Sequence, residues 1–275
     1  MTRTILITGT SSGYGKAMAE LFHDRGWNVI ATMRRPDPAL FPASPRLAVL
    51  PLDVTKPASV SQAIADGVAA FGGIDVWVNN AGIGLVSIVE ATPDSAMREV
   101  FETNTLSVFA ACRAIIPQLR KQGRGTIINV TSSVALGVMP MVAVYAASKC
   151  AVEGFTESLS HELAAFNVKA RLVEPGYAPT TNFADNVRGR MPGLMPDIYG
   201  DFAQGFFARL AEYPTRYCTE AEVAEATFAA ATEESGRIRY PAGVDSQLFA
   251  GLRWSTSEEA YLKAMRDMFM PAPQA

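Results

Sequence analysis

The chain has 275 residues, with 24 Lys and Arg against 27 Asp and Glu, a formal net charge of −3 and 49% hydrophobic residues. So even a balance carries no basic footprint for nucleic acid or an acidic membrane surface; three scattered cysteines and two histidines argue against a disulfide framework, a metal centre or a histidine triad. No apolar run reaches membrane-spanning length and the chain starts directly on a strand-like run rather than a secretory signal, so a soluble, cytoplasmic protein is expected.

Thr4–Thr8 is a short apolar, β-branched run that breaks at Gly9, the pattern of a buried parallel strand. Gly9, Thr10, Ser11, Ser12, Gly13, Tyr14 and Gly15 follow, opening a helix-patterned stretch from Lys16 to Asp24. Strand, glycine turn and helix N-terminus together make an anion site, because free N–H groups and the helix dipole point at one place. The spacing is G-x-x-x-G-x-G, and in this position it signals a nucleotide. A second strand over 27–33 ends at Met33, Arg34 and Arg35, where many NAD-binding sheets carry an acid for the adenine ribose. Arg34 there favours a 2′-phosphate and thus NADP(H), with NAD(H) the lesser expectation; the plain reading is a solvated loop arginine.

A third strand over 47–52 leads to Asp53, placed either to face an adenine edge or to cap the helix after Pro57. A fourth, over 74–78, precedes Asn79, Asn80, Ala81 and Gly82, small residues that leave room for a ligand at the carboxyl end of the sheet. One helix is expected from about 94 to 121, with Asn104 in its interior as a packing residue or a functional kink, since its amide competes for backbone hydrogen bonds. The fifth strand, 126–130, delivers Thr131, Ser132 and Ser133. A helix over 145–166 puts Tyr145 and Lys149 on one face, where an ammonium lowers a phenol's pKa and fits it for proton transfer. The sixth strand, 168–173, stops at Pro175 and Gly176.

Strands alternating with helices predict an α/β fold, a doubly wound parallel sheet in three layers, as a single domain over 1–275. The stretch 177–217 is rich in Met, Pro, Phe and Gly, which fits a lid over a greasy substrate or an ordinary amphipathic helix pair. An extension over 244–275, with Trp254, Tyr261 and Phe269, could cover a subunit interface or its own monomer.

These motifs, in this order from about Thr4 to Gly243, resemble the short-chain dehydrogenase/reductase family, in its short single-domain branch near the retinol and 17β-hydroxysteroid dehydrogenases. The resemblance implies a Rossmann fold and a catalytic set of Asn104, Ser132, Tyr145 and Lys149. Tyr145 would be the acid or base, Lys149 would tune it and bind the nicotinamide ribose, and Ser132 would hold the carbonyl oxygen. Asn104 would hold a water linking Lys149 to solvent. The glycine turn, Asp53, Asn80, Ala81, Gly82, Pro175, Gly176 and Thr180 would bind the cofactor, although Pro179 interrupts the usual pattern before Thr180 and Thr181. The implied activity is hydride transfer between NADP(H) and a secondary alcohol or carbonyl, in a homodimer or homotetramer built on the helices around Asn104 and Lys149. A protein that binds NADP(H) without chemistry is the alternative.

Overall fold

The computed structural model describes residues 2–178, 182–213 and 216–271. Its centre is one seven-stranded sheet of β1 (Thr4–Thr8), β2 (Asn28–Met33), β3 (Leu47–Pro51), β4 (Val76–Asn79), β5 (Gly125–Val130), β6 (Val168–Pro175) and β7 (Arg239–Ala242). Every pairing is parallel and the order is β3-β2-β1-β4-β5-β6-β7, so the winding reverses between β1 and β4. Register is clear at that reversal, where Ile7 lies opposite Ala31 on one side and Val78 on the other. The expected strands all appear, within two residues of the expected bounds. β6 runs through Pro175 rather than stopping before it.

Successive strand side chains point to opposite faces, which splits the core in two. Ile5, Ile7, Val29 and Ala31 pack against Met18, Ala19 and Phe22 of α1 (Gly13–Asp24) and Val223 and Ala224 of the later helix Glu220–Thr232. Leu6, Ile30, Trp77 and Ile127 face α2 (Pro57–Phe71) and the helices Ser107–Gln122 and Ala143–Ala164. This is a Rossmann-like α/β/α sandwich, as the strand and helix alternation predicts.

The helix expected from 94 to 121 is broken. α3 (Asp94–Phe101) passes into a π-helical turn, Glu102–Leu106, before α4 (Ser107–Gln122) resumes the ordinary pitch. Asn104 lies inside the π turn, so the awkward mid-helix amide marks a real irregularity. α5 is Ala143–Ala164. The stretch 177–217 is largely helical rather than irregular: α6 (Asn182–Arg190) and α7 (Gly200–Glu212) frame a short turn at Asp197–Tyr199. After α8 (Glu220–Thr232) and β7, the extension forms α9 (Val244–Ser255) and α10 (Glu258–Phe269). Phe249, Tyr261, Met265 and Phe269 are buried in one cluster with Ala203 and Phe206 of α7, so these helices cover their own chain.

Candidate active site

At the sheet reversal, two loops rise from the carboxyl ends of β1 and β4 and are tied together. Thr8 Oγ1 donates to the Val78 carbonyl at 3.2 Å and accepts from the Asn80 and Ala81 N–H groups at 2.9 and 3.1 Å. Asn80 Nδ2 in turn donates to the carbonyls of Thr8 and Gly9 at 2.8 and 3.1 Å. The Asn80 side chain is thus engaged by the protein itself. Gly9 needs to be glycine on two counts: its φ is 73°, and a Cβ there would lie 3.0 Å from Ala81 Cα. At Gly15 a Cβ would stand 2.1 Å from the Gly9 carbonyl oxygen, so α1 can start against the turn only without a side chain.

Ser12 is the N-cap of α1, but its side chain makes no capping bond and the first turn holds no acid. The leading N–H groups therefore face the cavity without an internal acceptor, the arrangement that suits a phosphate. Ser11, Ser12, Gly13, Arg34 and Asp53 line the same end of the cavity. Arg34 is exposed and has no ion-pair partner among the described residues. Asp53 Oδ1 accepts from the Thr55 N–H and hydroxyl at 3.1 and 2.8 Å, bonds that hold its carboxyl below the usual range. It steadies the approach to α2, whose N-cap is Lys56. These uncapped N–H groups, a free arginine and a cradle that a Cβ would fill fit a dinucleotide.

Ser132, Tyr145 and Lys149 line the middle of the cavity. Ser132 follows β5 and its Oγ accepts from the Val134 N–H at 3.3 Å. Tyr145 is 8% and Lys149 5% exposed. Lys149 Nζ donates to the Val130 carbonyl at 3.1 Å and sits 5.9 Å from the centre of the Tyr145 ring. The Tyr145 acidity runs opposite to the expectation from a bare Tyr–Lys pair. Burial pushes the phenol up to about 12, with hydrogen bonding to Ser132 drawing it the other way. Burial also brings Lys149 down to about 8, opposed by the charge of Glu153.

Asn104 is wholly buried, and its amide is engaged on three sides. Oδ1 accepts from the Ile83 N–H at 2.8 Å, while Nδ2 donates to the Ile83 carbonyl at 2.8 Å and to Ser148 Oγ at 3.2 Å. Between Asn104 and Lys149 lies Gly82, where a Cβ would sit 3.1 Å from Asn104 Oδ1 and 3.5 Å from Lys149 Nζ. Pro175 and Gly176 line the cavity opposite, and the Tyr14 hydroxyl donates to the Gly176 carbonyl at 3.4 Å. Thr180 and Thr181 lie outside the described residues. The whole cavity measures about 1120 Å³ and runs on past Tyr145 into an aromatic chamber.

Tyr213, Asp245 and Phe249 line that chamber and are not among the residues singled out from sequence. An acid two residues after Gly243 has the look of an ordinary helix start, which conceals it.

A family model described as short chain dehydrogenase matches residues 3–191. The chain is 38% identical over 182 residues, 66% of each protein, to 3-ketodihydrosphingosine reductase of Bacteroides thetaiotaomicron. It is 40% identical over 184 residues to human retinol dehydrogenase 8, covering 63% of this chain and 58% of that one. A short-chain dehydrogenase from Burkholderia cenocepacia, solved in complex with NADP, superposes with a TM-score of 0.74 at 26% identity, over 97% of this chain and 96% of the other. Solved proteins of the same fold hold NADP or NAD. With the matched residues spanning both the glycine turn and the Ser132–Lys149 segment, the chain belongs to the short-chain dehydrogenase/reductase family of oxidoreductases.

Proposed function

We propose that this enzyme is an NADP(H)-dependent oxidoreductase acting between a lipophilic secondary alcohol and its carbonyl. The observation that carries the reading is the single cavity, with anion-binding N–H groups and Arg34 at one end, Tyr145 midway and an aromatic chamber beyond. When bound, the dinucleotide supplies or accepts the hydride at nicotinamide C4. Gly9 to Gly15 would hold its pyrophosphate, Arg34 its 2′-phosphate, Asp53 its adenine, and Asn80, Ala81 and Gly82 the adjoining ribose. Lys149 would bind the nicotinamide ribose, and Pro175 and Gly176 would border the carboxamide, with Thr180 assigned to the same duty.

In reduction Tyr145 Oη gives its proton to the substrate oxygen, and in oxidation it takes that proton back. Ser132 Oγ donates a hydrogen bond to the same oxygen as negative charge grows there. Lys149, held by the Val130 carbonyl, keeps positive charge near the phenol and eases its ionisation. Asn104 fixes the Ile83 backbone and so the floor beneath Gly82 and Lys149. Cytoplasmic location and assembly into a homodimer or homotetramer complete the proposal. Their support is that no helix of the described residues is long and apolar enough to cross a membrane, and that the π turn presents Leu106 beside the stacked Phe109 of α4 and Phe155 of α5.

Tyr145→Phe tests the assignment. It should bind NADPH as tightly as the parent in a fluorescence titration yet reduce a panel of carbonyl compounds roughly 100-fold more slowly or worse, the scale of lost acid catalysis. Unchanged turnover would remove Tyr145 from the mechanism, and tighter binding of NADH than NADPH would remove the role given to Arg34.

A further inference from the structure

The chamber beyond Tyr145 is walled by rings. Tyr213 stacks on Phe249 at 5.8 Å, and Phe269 meets both edge-on at 5.3 and 5.9 Å. Two buried oxygens interrupt this apolar wall: Tyr213 Oη and Asp245 Oδ1 have no hydrogen-bond partner among the described residues. Both residues line the cavity. Asp245 is 1% exposed and is anchored, because its Oδ2 accepts the Tyr177 N–H at 2.6 Å. Oδ1 is held against Gly176, which lines the same cavity and has no room there for a Cβ. Phe249 follows Asp245 by one turn on the same face of α9, so stacking on Phe249 brings Tyr213 to the side where Asp245 lies. No lysine or arginine among the described residues forms an ion pair with Asp245.

Buried polar atoms almost always find partners, so two orphans in one cavity wall call for a ligand group that serves both. A carboxylate oxygen only accepts, whereas a phenol has one proton to give. A hydroxyl answers both at once, donating to Asp245 and accepting from Tyr213. An ammonium would satisfy Asp245 but leave the Tyr213 proton unused, and a carbonyl would do the reverse. We propose that Asp245 and Tyr213 form a hydroxyl-recognition subsite, so that the substrate carries a hydroxyl besides the carbon that is oxidised or reduced. The inference rests on the reading of the aromatic chamber as the substrate end.

Acetophenone and benzylacetone, each beside its para-hydroxy counterpart, give matched probes at two spacings for titration calorimetry on the NADP-saturated protein. In at least one pair the hydroxylated member should bind roughly ten-fold more tightly or better, the scale of a hydrogen bond to a charged group. Tyr213→Phe and Asp245→Asn should each reduce that preference to about two-fold or less. Tyr213→Phe is the decisive variant if loss of the Asp245 charge disturbs the Tyr177 turn. Equal affinity within both pairs, no binding of either hydroxylated probe, or a preference that survives both substitutions would overturn the subsite; a trapped water alone would give the first of these. Turnover of the plain ketones without a hydroxyl preference removes the subsite and leaves hydride transfer standing. A preference in binding with no turnover of any probe does the opposite.

Discussion

Burial moves the acidities of Tyr145 and Lys149 apart, the phenol up to about 12 and the ammonium down to about 8. Tyr-x-x-x-Lys spacing is legible in sequence and does put the two side chains together on α5. The direction of the phenol shift is not legible, because it depends on how completely the neighbours exclude water. Lys149 directs its hydrogen bond to Val130, so desolvation dominates the phenol. Glu153, one turn further along α5, is the carboxylate that keeps Lys149 from falling further. Lys149 is accordingly charged at neutral pH and loses its charge as pH rises through about 8, which should bring down the rate of carbonyl reduction on that limb. Glu153→Gln removes the supporting charge and should move the limb to lower pH in a profile of kcat/KM. A limb that stays where it was would take Glu153 out of this account.

At the scale of elements, Asn104 shows what periodicity can and cannot deliver. Its poor fit in a helix interior is visible in sequence, but its partner Ile83 lies 21 residues away in a loop with no pattern of its own. Asn104→Ala would leave the half-buried Ile83 N–H and carbonyl without their partner, at about 1–3 kcal/mol in all. Chemical denaturation should show a loss in that range, and a variant as stable as the parent would mean the π turn does not depend on this amide. A second junction joins α5, β6 and β7, where Arg239 bonds to Glu153, Glu157 and Glu174. Arg239 lies 86, 82 and 65 residues from these three carboxylates, so nothing in the sequence pairs them. Glu174 is fully buried, and desolvation together with Glu153 pushes its carboxyl up to about 7. An unfolded glutamate titrates near 4.3, so between there and about 7 the native state binds the extra proton. The stabilisation from this group is complete below the unfolded value and is lost as pH rises through about 7. Glu174→Gln has no proton to lose, so raising the pH from about 5 to about 8 should cost the parent more stability than the variant. Parallel denaturation midpoints across that range would contradict the raised acidity.

Across the whole molecule, the two ends of the chain differ in how much their sequence reveals. From 4 to 176, short apolar runs and glycine breaks specify the strands, and the doubly wound sheet follows from their alternation. From 177 onward, Met, Phe and Trp are spaced so that a lid, a helix pair and an interface tail all fit. Only the mutual burial of α7, α9 and α10 decides that these helices close over the cavity of their own chain. That closure reaches the loop after Ser132 through Tyr261 of α10, which is 3% exposed. Its hydroxyl donates to the Leu136 carbonyl at 2.8 Å and accepts from the Val138 N–H at 3.0 Å. The loop so held begins four residues after Ser132, and more than 120 residues separate it from Tyr261 in sequence. Tyr261→Phe keeps the ring in the cluster and removes only this clamp, leaving the buried Leu136 carbonyl without its partner, at about 1–3 kcal/mol, and releasing the Val138 N–H. Because the glycine turn lies on another part of the sheet, NADPH affinity should be unchanged. Turnover should fall with little change in KM, since the role proposed for Ser132 is to assist the growing charge on the substrate oxygen rather than ground-state binding. Kinetics and a cofactor titration on the one variant separate the outcomes: unchanged kcat would show that α10 only closes the core, whereas a fall in NADPH affinity would mean the clamp supports the sheet as a whole.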